Sequence, residues 1–303
     1  MKRRTLLQGA LAACAASITK IDLAWASISL GDLSIQSVSD GHLVLPGTFF
    51  FDGLPQNEVA EILARHDLSI EQLTPPCNAT IVRNGDQIVL FDVGAGSAFM
   101  PTTGALPDSL DTLGIAPEDV THVVFTHAHP DHIWGVLDDF DDPVFPKAQH
   151  MIGASELDYW RDPNTVGTIG EARASFAVGA ARRLEAIEDI LTTFNPGDEI
   201  LPGVMAHASF GHTPGHMAFE LRSGSESLMV VGDAIGNHHV AVERPDWPSG
   251  SDQDPELGAK TRQRLLDQLA TDKMTLLGFH LPGGGIGRIE RTADAYCFVP
   301  EDT

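Results

Sequence analysis

Thr126-His127-Ala128-His129-Pro130-Asp131-His132 places four metal-ligand side chains within six residues. Imidazole nitrogen and carboxylate oxygen are the donors that a borderline divalent ion such as zinc takes at roughly 2.0–2.2 Å. On an extended backbone His127 and His129 point to one side. Asp131 and His132 then offer a second pair where the chain turns towards a helix. The plainer reading is a polar loop whose histidines cap that helix, but three histidines packed this densely argue against it.

Three further clusters carry the same donor types. In Gly211-His212-Thr213-Pro214-Gly215-His216, the glycines and proline make a rigid turn that aims His212 inward. His216 reads as a histidine that orients a neighbouring ligand rather than binding itself. Val230-Val231-Gly232-Asp233 is an apolar strand ending in a carboxylate, and Leu277-Gly278-Phe279-His280 is another strand ending in a histidine. Alone, Asp233 reads as a cap or turn residue and His280 stays undecided; their weight comes from the ensemble.

Strands must position these loops. Short β-type segments recur at 33–38, 79–82, 87–92, 121–126, 149–152, 204–209, 218–221, 228–231 and 274–279. Helical patterns lie at 57–65, 133–140, 155–160, 167–191 and 255–270, punctuated by glycine and proline clusters. Mixed strands with interspersed helices predict a layered α/β domain. The polar clusters follow predicted strands, where such scaffolds carry chemistry on loops.

In this order the clusters resemble the metallo-β-lactamase superfamily, where His-x-His-x-Asp-His is followed by His, Asp and His. The resemblance covers most of residues 33–300. It implies an α/β fold, the four-layer αββα sandwich, as one catalytic domain over residues 27–303. It also implies two divalent metal ions, zinc first, with manganese, cobalt or iron as alternatives. By the same resemblance His127, His129 and His212 bind the first ion; Asp131, His132 and His280 bind the second; Asp233 bridges them. Two such cations roughly 3.5–4 Å apart make hydroxide available near neutral pH, and that hydroxide attacks an ester-type bond. Only Asp131 and Asp233 bring negative charge, so the centre stays net positive and favours a developing oxyanion. Asp131 and Asp233 are therefore the catalytic carboxylates, with Asp131 also able to receive the nucleophile's proton.

Within the superfamily, Phe91-Asp92-Val93-Gly94-Ala95-Gly96, Tyr159-Trp160, His280-Leu281-Pro282-Gly283-Gly284-Gly285-Ile286-Gly287 and Ala295-Tyr296-Cys297-Phe298-Val299-Pro300 look like the methyl parathion hydrolase group. That implies hydrolysis of phosphotriesters, aryl esters or lactones, with Phe99 and Trp160 lining a pocket for the leaving group, and a possible homodimer. A dedicated acyl-homoserine lactonase is the nearest alternative. Lactonases of that group often carry a tyrosine three residues after the bridging Asp, and here Gly236 holds that place. Pro282-Gly283-Gly284 and Asn237-His238-His239 depart from the pattern; His238 and His239 read as an exposed loop. A mono-iron persulfide dioxygenase, a β-lactamase and a non-catalytic metal-binding module are weaker alternatives. A glutathione-thioester hydrolase lacks its basic tail.

The N-terminus has the layout of a twin-arginine signal peptide over residues 1–26. Lys2-Arg3-Arg4 precede an apolar run, Leu6–Ala16, and Ala24-Trp25-Ala26 offers a cleavage site. Export to the periplasm or beyond follows, with lipid anchoring at Cys14 as an alternative. The apolar run is too short to span a bilayer, so no integral membrane segment is expected in the mature chain. Removing Lys2, Arg3, Arg4, Lys20 and Asp22 takes the charge from −23 to about −26, which repels nucleic acid and leaves a small-molecule substrate. Cys77 and Cys297 then remain; they make no disulfide framework and read as two buried thiols, a single bridge being the alternative.

Overall fold

Apolar side chains alternate along Leu33-Ser34-Ile35, and the backbone follows with Leu33 and Ile35 buried and Ser34 exposed. In the computed structural model, which describes residues 26–301, that segment is the second strand of a large sheet. The signal-peptide segment and Cys14 lie outside the described residues, Ala26 excepted. In chain order the first strands are β1 (Ser27–Leu30), β2 (Leu33–His42), the two-residue pair β3 (Leu45–Pro46) and β4 (Gln72–Leu73), β5 (Pro76–Asn84), β6 (Gln87–Phe91), β7 (His122–Val124), β8 (Gln149–Gly153) and β9 (Leu191–Phe194). They are followed by β10 (Glu199–Leu201), β11 (Val204–Ala208), β12 (Met217–Ser223), β13 (Glu226–Gly232), β14 (Thr275–Gly278), β15 (Ile286–Arg291) and β16 (Tyr296–Pro300).

These strands build two seven-stranded sheets, β1-β2-β5-β6-β7-β8-β9 and β10-β11-β12-β13-β14-β15-β16. Ile35, Val82, Phe91 and Val124 from the first sheet meet Ala206, Phe219, Val230 and Leu277 from the second in one dry layer. Phe91 and Phe219 pack with ring centroids 5.2 Å apart. The outer face of the first sheet is covered by helices Leu106–Thr112, Ala154–Arg161 and Ala174–Ala186, through Leu106, Leu110, Trp160, Ala180 and Leu184. Helix Pro255–Asp272 covers the second sheet through Leu265, Leu266 and Leu269. The architecture is therefore the four-layer αββα sandwich. Each fully buried Leu, Ile or Phe in these layers contributes on the order of 1.5–3 kcal/mol relative to exposure.

Helix Pro255–Asp272 shows how local sequence sets an element. Asp254 accepts the Leu257 backbone N–H at 3.0 Å, Pro255 opens the first turn, and Lys273 ends the helix in left-handed geometry.

Two predicted helices are cut short. The pattern over 133–140 gives a helix at Pro130–Ile133 and one tight turn at Trp134–Val136. Gly135 is the reason: it donates to Gly94 at 2.9 Å, and a Cβ there would lie 2.1 Å from the Val93 carbonyl oxygen. The pattern over 167–191 breaks at Gly170, whose φ is +97°, and its last residue, Leu191, starts β9. Strands β1, β3, β4, β9, β10, β15 and β16 add to those expected from the sequence. Among the described residues no helix is long and apolar enough to cross a membrane.

Candidate metal centre

β7 runs straight into the His127–His132 loop. β13 and β14 lie parallel with Gly232 opposite Gly278, so the residues just past them, Asp233 and His280, emerge side by side. The turn after β11 brings His212 over the same edge. Gly232 makes this close approach possible. Its φ is +51°, and a Cβ there would lie 2.7 Å from His216 Nε2.

The seven expected donors converge. His127 Nε2 lies 3.0 Å from His129 Nδ1, which lies 2.8 Å from His212 Nε2. Asp233 Oδ2 lies 3.4 Å from His212 Nε2 and 3.2 Å from His280 Nε2. Asp131 Oδ2 lies 3.2 Å from His280 Nε2 and 3.5 Å from His132 Nε2. All seven side chains are buried. Asp131 Oδ2, Asp233 Oδ1 and His132 Nε2 have no hydrogen-bond partner. Burying such atoms unpaired costs on the order of 1–3 kcal/mol each, more when charged. Divalent cations fit these donors, and three groups of side chains here could each hold one.

The far side of each imidazole is also fixed. His132 Nδ1–H donates to Asp92 Oδ2 at 2.8 Å, and His280 Nδ1–H donates to the Pro76 carbonyl at 2.7 Å. His212 Nδ1–H donates to Asp252 Oδ1 at 3.2 Å, and Arg262 donates to the other Asp252 oxygen at 3.3 Å. His127 Nδ1–H donates to Thr126 Oγ1 at 3.0 Å, and that hydroxyl donates to Asp92 at 2.8 Å. His129 Nε2 faces the Gln253 amide at 3.2 Å. His127, His132, His212 and His280 thus each turn one nitrogen towards the cluster and donate from the other to the scaffold, which selects the tautomer that can bind metal. His216 accepts the Asp233 backbone N–H at 3.0 Å and meets Ser209 Oγ at 2.7 Å; burial pushes it down to about 3. It holds the Asp233 backbone as a neutral ring.

Charge inside the cluster is balanced. Burial and neighbouring histidines hold His127 and His129 well below the ordinary imidazole value. Burial opposes protonation of His132 and His280 too, but Asp233 and Asp131 override it and raise both well above that value.

Glu156 was not anticipated from the sequence. It is fully buried and accepts four donors: Ala128 N–H at 2.9 Å, Trp160 Nε1–H at 2.6 Å, Thr213 Oγ1–H at 2.7 Å and Gly215 N–H at 2.9 Å. It joins the His129 loop to the His212 loop. Its visible signal is spacing: Glu156 and Trp160 stand four residues apart on helix Ala154–Arg161, on the face that points inward. Asp252 and Gln253 carried no such signal, since they sit in a polar loop.

A cavity of about 220 Å³ opens onto the cluster, lined by Leu43, Leu45, Phe49, Phe50, Phe99, Met100 and Phe176 beside His129, Asp131, His212, Asp233 and His280. Phe99 lines it. Trp160 does not: it is only 1% exposed, and its ring lies against His129 with centroids 5.7 Å apart. The expectation of Trp160 in the pocket is corrected, because its helix turns the indole inward to Glu156. His238 and His239 are likewise not an exposed loop. His239 is buried, accepts the Val240 N–H at 2.8 Å, and packs with His238 at 5.1 Å. Cys77 is buried, Cys297 is half-buried, and both are free thiols.

Residues 74–280 match the family model of the metallo-β-lactamase superfamily, and the chain belongs to that superfamily. It is similar over nearly its whole length to the dizinc quorum-quenching lactonase AidC, with 28% identity, a TM-score of 0.86, and coverage of 93% of this chain and 99% of that one. The hydrolase AbOPH is 27% identical with a TM-score of 0.85, covering 92% of this chain and 98% of that one. A probable metallo-hydrolase of Mycobacterium tuberculosis is 26% identical over 218 residues, 64% of this chain and 68% of that protein. The N-acyl homoserine lactonase AttM of Agrobacterium fabrum is 30% identical over 131 residues, 42% of this chain and 46% of that protein. These relatives support a hydrolytic, metal-dependent enzyme.

Proposed function

We propose that this protein is a two-metal hydrolase of ester-type bonds whose preferred substrates are lactones or esters bearing an apolar arm. The observation that carries this is one juxtaposition: Asp131 and Asp233, each with a buried carboxylate oxygen that has no hydrogen-bond partner, line the cavity edged by Phe99, Met100 and Phe176. His127, His129, His212 and Asp233 would hold one cation, and Asp131, His132, His280 and Asp233 the other. Bound there, the cations supply Lewis acidity and lower the pKa of water.

The chain's own groups do the rest. Asp131 stays ionised beside His132 and His280, despite its burial, and offers a carboxylate for the proton of attacking water. The phenylalanine wall excludes bulk water and binds an acyl chain by burial. Arg173 is the cation on the cavity wall; it is bonded to the Gly250 carbonyl and has donors to spare for a polar group on the substrate's arm.

The aromatic lining and Gly236, where many lactonases have tyrosine, favour a second reading: aryl phosphotriesters, as the resemblance to the methyl parathion hydrolase group suggests. Purified protein with measured metal content should be assayed on short- and long-chain homoserine lactones, aryl esters and aryl phosphotriesters. Two cations per chain, turnover rising with acyl length, and loss on chelation or in His127→Ala support the lactone reading. Faster turnover of phosphotriesters selects the second. One iron per chain with oxygen consumption and no hydrolysis refutes both.

A further inference from the structure

Cys77 lies on β5, wholly buried, away from every histidine and aspartate in sequence. The fold brings it to the second cation's donors: a ligand atom each of Cys77, Asp131 and His280 lie within 4.8 Å of one another. We propose that Cys77 is a further protein ligand of the second cation, adding a sulfur donor to the histidine and aspartate set. This rests on the two-metal reading above.

Three independent features hold the thiol there. His280 Nδ1–H donates to the Pro76 carbonyl at 2.7 Å. The Asn78 backbone N–H donates to the Phe279 carbonyl at 2.9 Å, and the Asn78 amide donates to the Leu281 carbonyl at 2.9 Å. Residues 76–78 are thus stitched to residues 279–281, with Cys77 between the stitches and His280 opposite. The β2–β5 register shifts between Ser39 and Gly41, beside Cys77, a bulge of the kind that re-aims a side chain. Finally, Asp131 Oδ2 is buried without a hydrogen-bond partner and lies 3.2 Å from His280 Nε2.

Binding breaks the S–H bond, sends the proton to solvent and forms a sulfur–metal bond; nothing is oxidised or reduced. A thiolate favours zinc over manganese, since soft donors select softer ions. The second position, rather than the first with its three imidazoles and the shared Asp233, then sets the metal preference.

The test uses the full chain loaded with two cobalt or two zinc ions. Cobalt protein should show near-ultraviolet thiolate-to-cobalt absorption. Zinc protein should show a sulfur scatterer at roughly 2.3 Å by X-ray absorption. Cys297→Ser should keep both signals. Cys77→Ser should lose both while retaining two metals, and if that variant fails to fold, the wild-type and Cys297→Ser spectra still decide. Two metals with only nitrogen and oxygen scatterers overturn the cysteine ligand and leave the two-metal reading intact. Fewer than two metals per chain overturn both.

Discussion

Asp92 Oδ2 accepts the Nδ1–H of His132 at 2.8 Å, and both side chains are buried. The same carboxylate takes the Thr126 backbone N–H at 2.8 Å and the Thr126 hydroxyl at 2.8 Å, so through Thr126 it also steers His127. Asp92 adopts a φ of +61°, a conformation unusual for a residue with a side chain. One carboxylate therefore aims a histidine at each cation position. Asp92→Asn should keep the fold and weaken metal binding by about 10–100-fold. Competition against a chromophoric chelator measures this; unchanged affinity would show that the two histidines need no such anchor.

Glu156 gives a stability prediction. Replacing it by alanine strands four buried donors, each costing on the order of 1–3 kcal/mol, so Glu156→Ala should lose several kcal/mol. Urea denaturation should show a much lower midpoint. A shift within about 0.5 kcal/mol of wild type would mean that water replaces the carboxylate freely.

Metal uptake should release protons. In cation-free protein the aspartates raise His132 and His280 well above the ordinary imidazole value. Protons therefore compete with metal below that raised value, and affinity climbs as pH rises towards it. Each displaced proton makes apparent affinity change about tenfold per pH unit. Calorimetry in two buffers of different ionisation enthalpy counts the protons; a count of zero at pH 7 contradicts the charge pattern described.

Arg173 should tune specificity rather than chemistry. Arg173→Met leaves the cluster untouched and removes the guanidinium from the cavity wall. KM should rise for substrates with an amide or carbonyl on the arm, by about 10-fold for one charged hydrogen bond near 1.5 kcal/mol. KM should hold for plain alkyl esters, and kcat should stay within about twofold. Equal losses on both substrate types would assign Arg173 a structural role.

Much of the centre was legible because its donors are dense and follow recognisable strands. His127, His129, Asp131 and His132 announce themselves within one short loop, and Asp233 and His280 gain weight from the apolar runs before them. Glu156, Asp252 and Gln253 were not legible, because a single carboxylate or amide in a polar segment looks the same whether it faces solvent or an imidazole. Cys77 was passed over for a related reason: its partners stand beside it only after β5 meets the loop beyond β14. The overlong helix predicted over 167–191 fails at Gly170 and Leu191, where a glycine conformation and a strand pairing outweigh helical periodicity. Trp160 misled in the opposite sense, since aromatic residues serve cores and pockets alike.

The proposed ligands come from both sheets: His127 to His132 from the first, His212, Asp233 and His280 from the second. Occupancy of the centre is therefore a gauge of how firmly the two halves of the chain clasp one another. A change that loosens the Phe91–Phe219 contact, well inside the sandwich, would register as leakage of metal before any strand is lost. Chelation would act in the reverse direction, easing the seam apart from its rim.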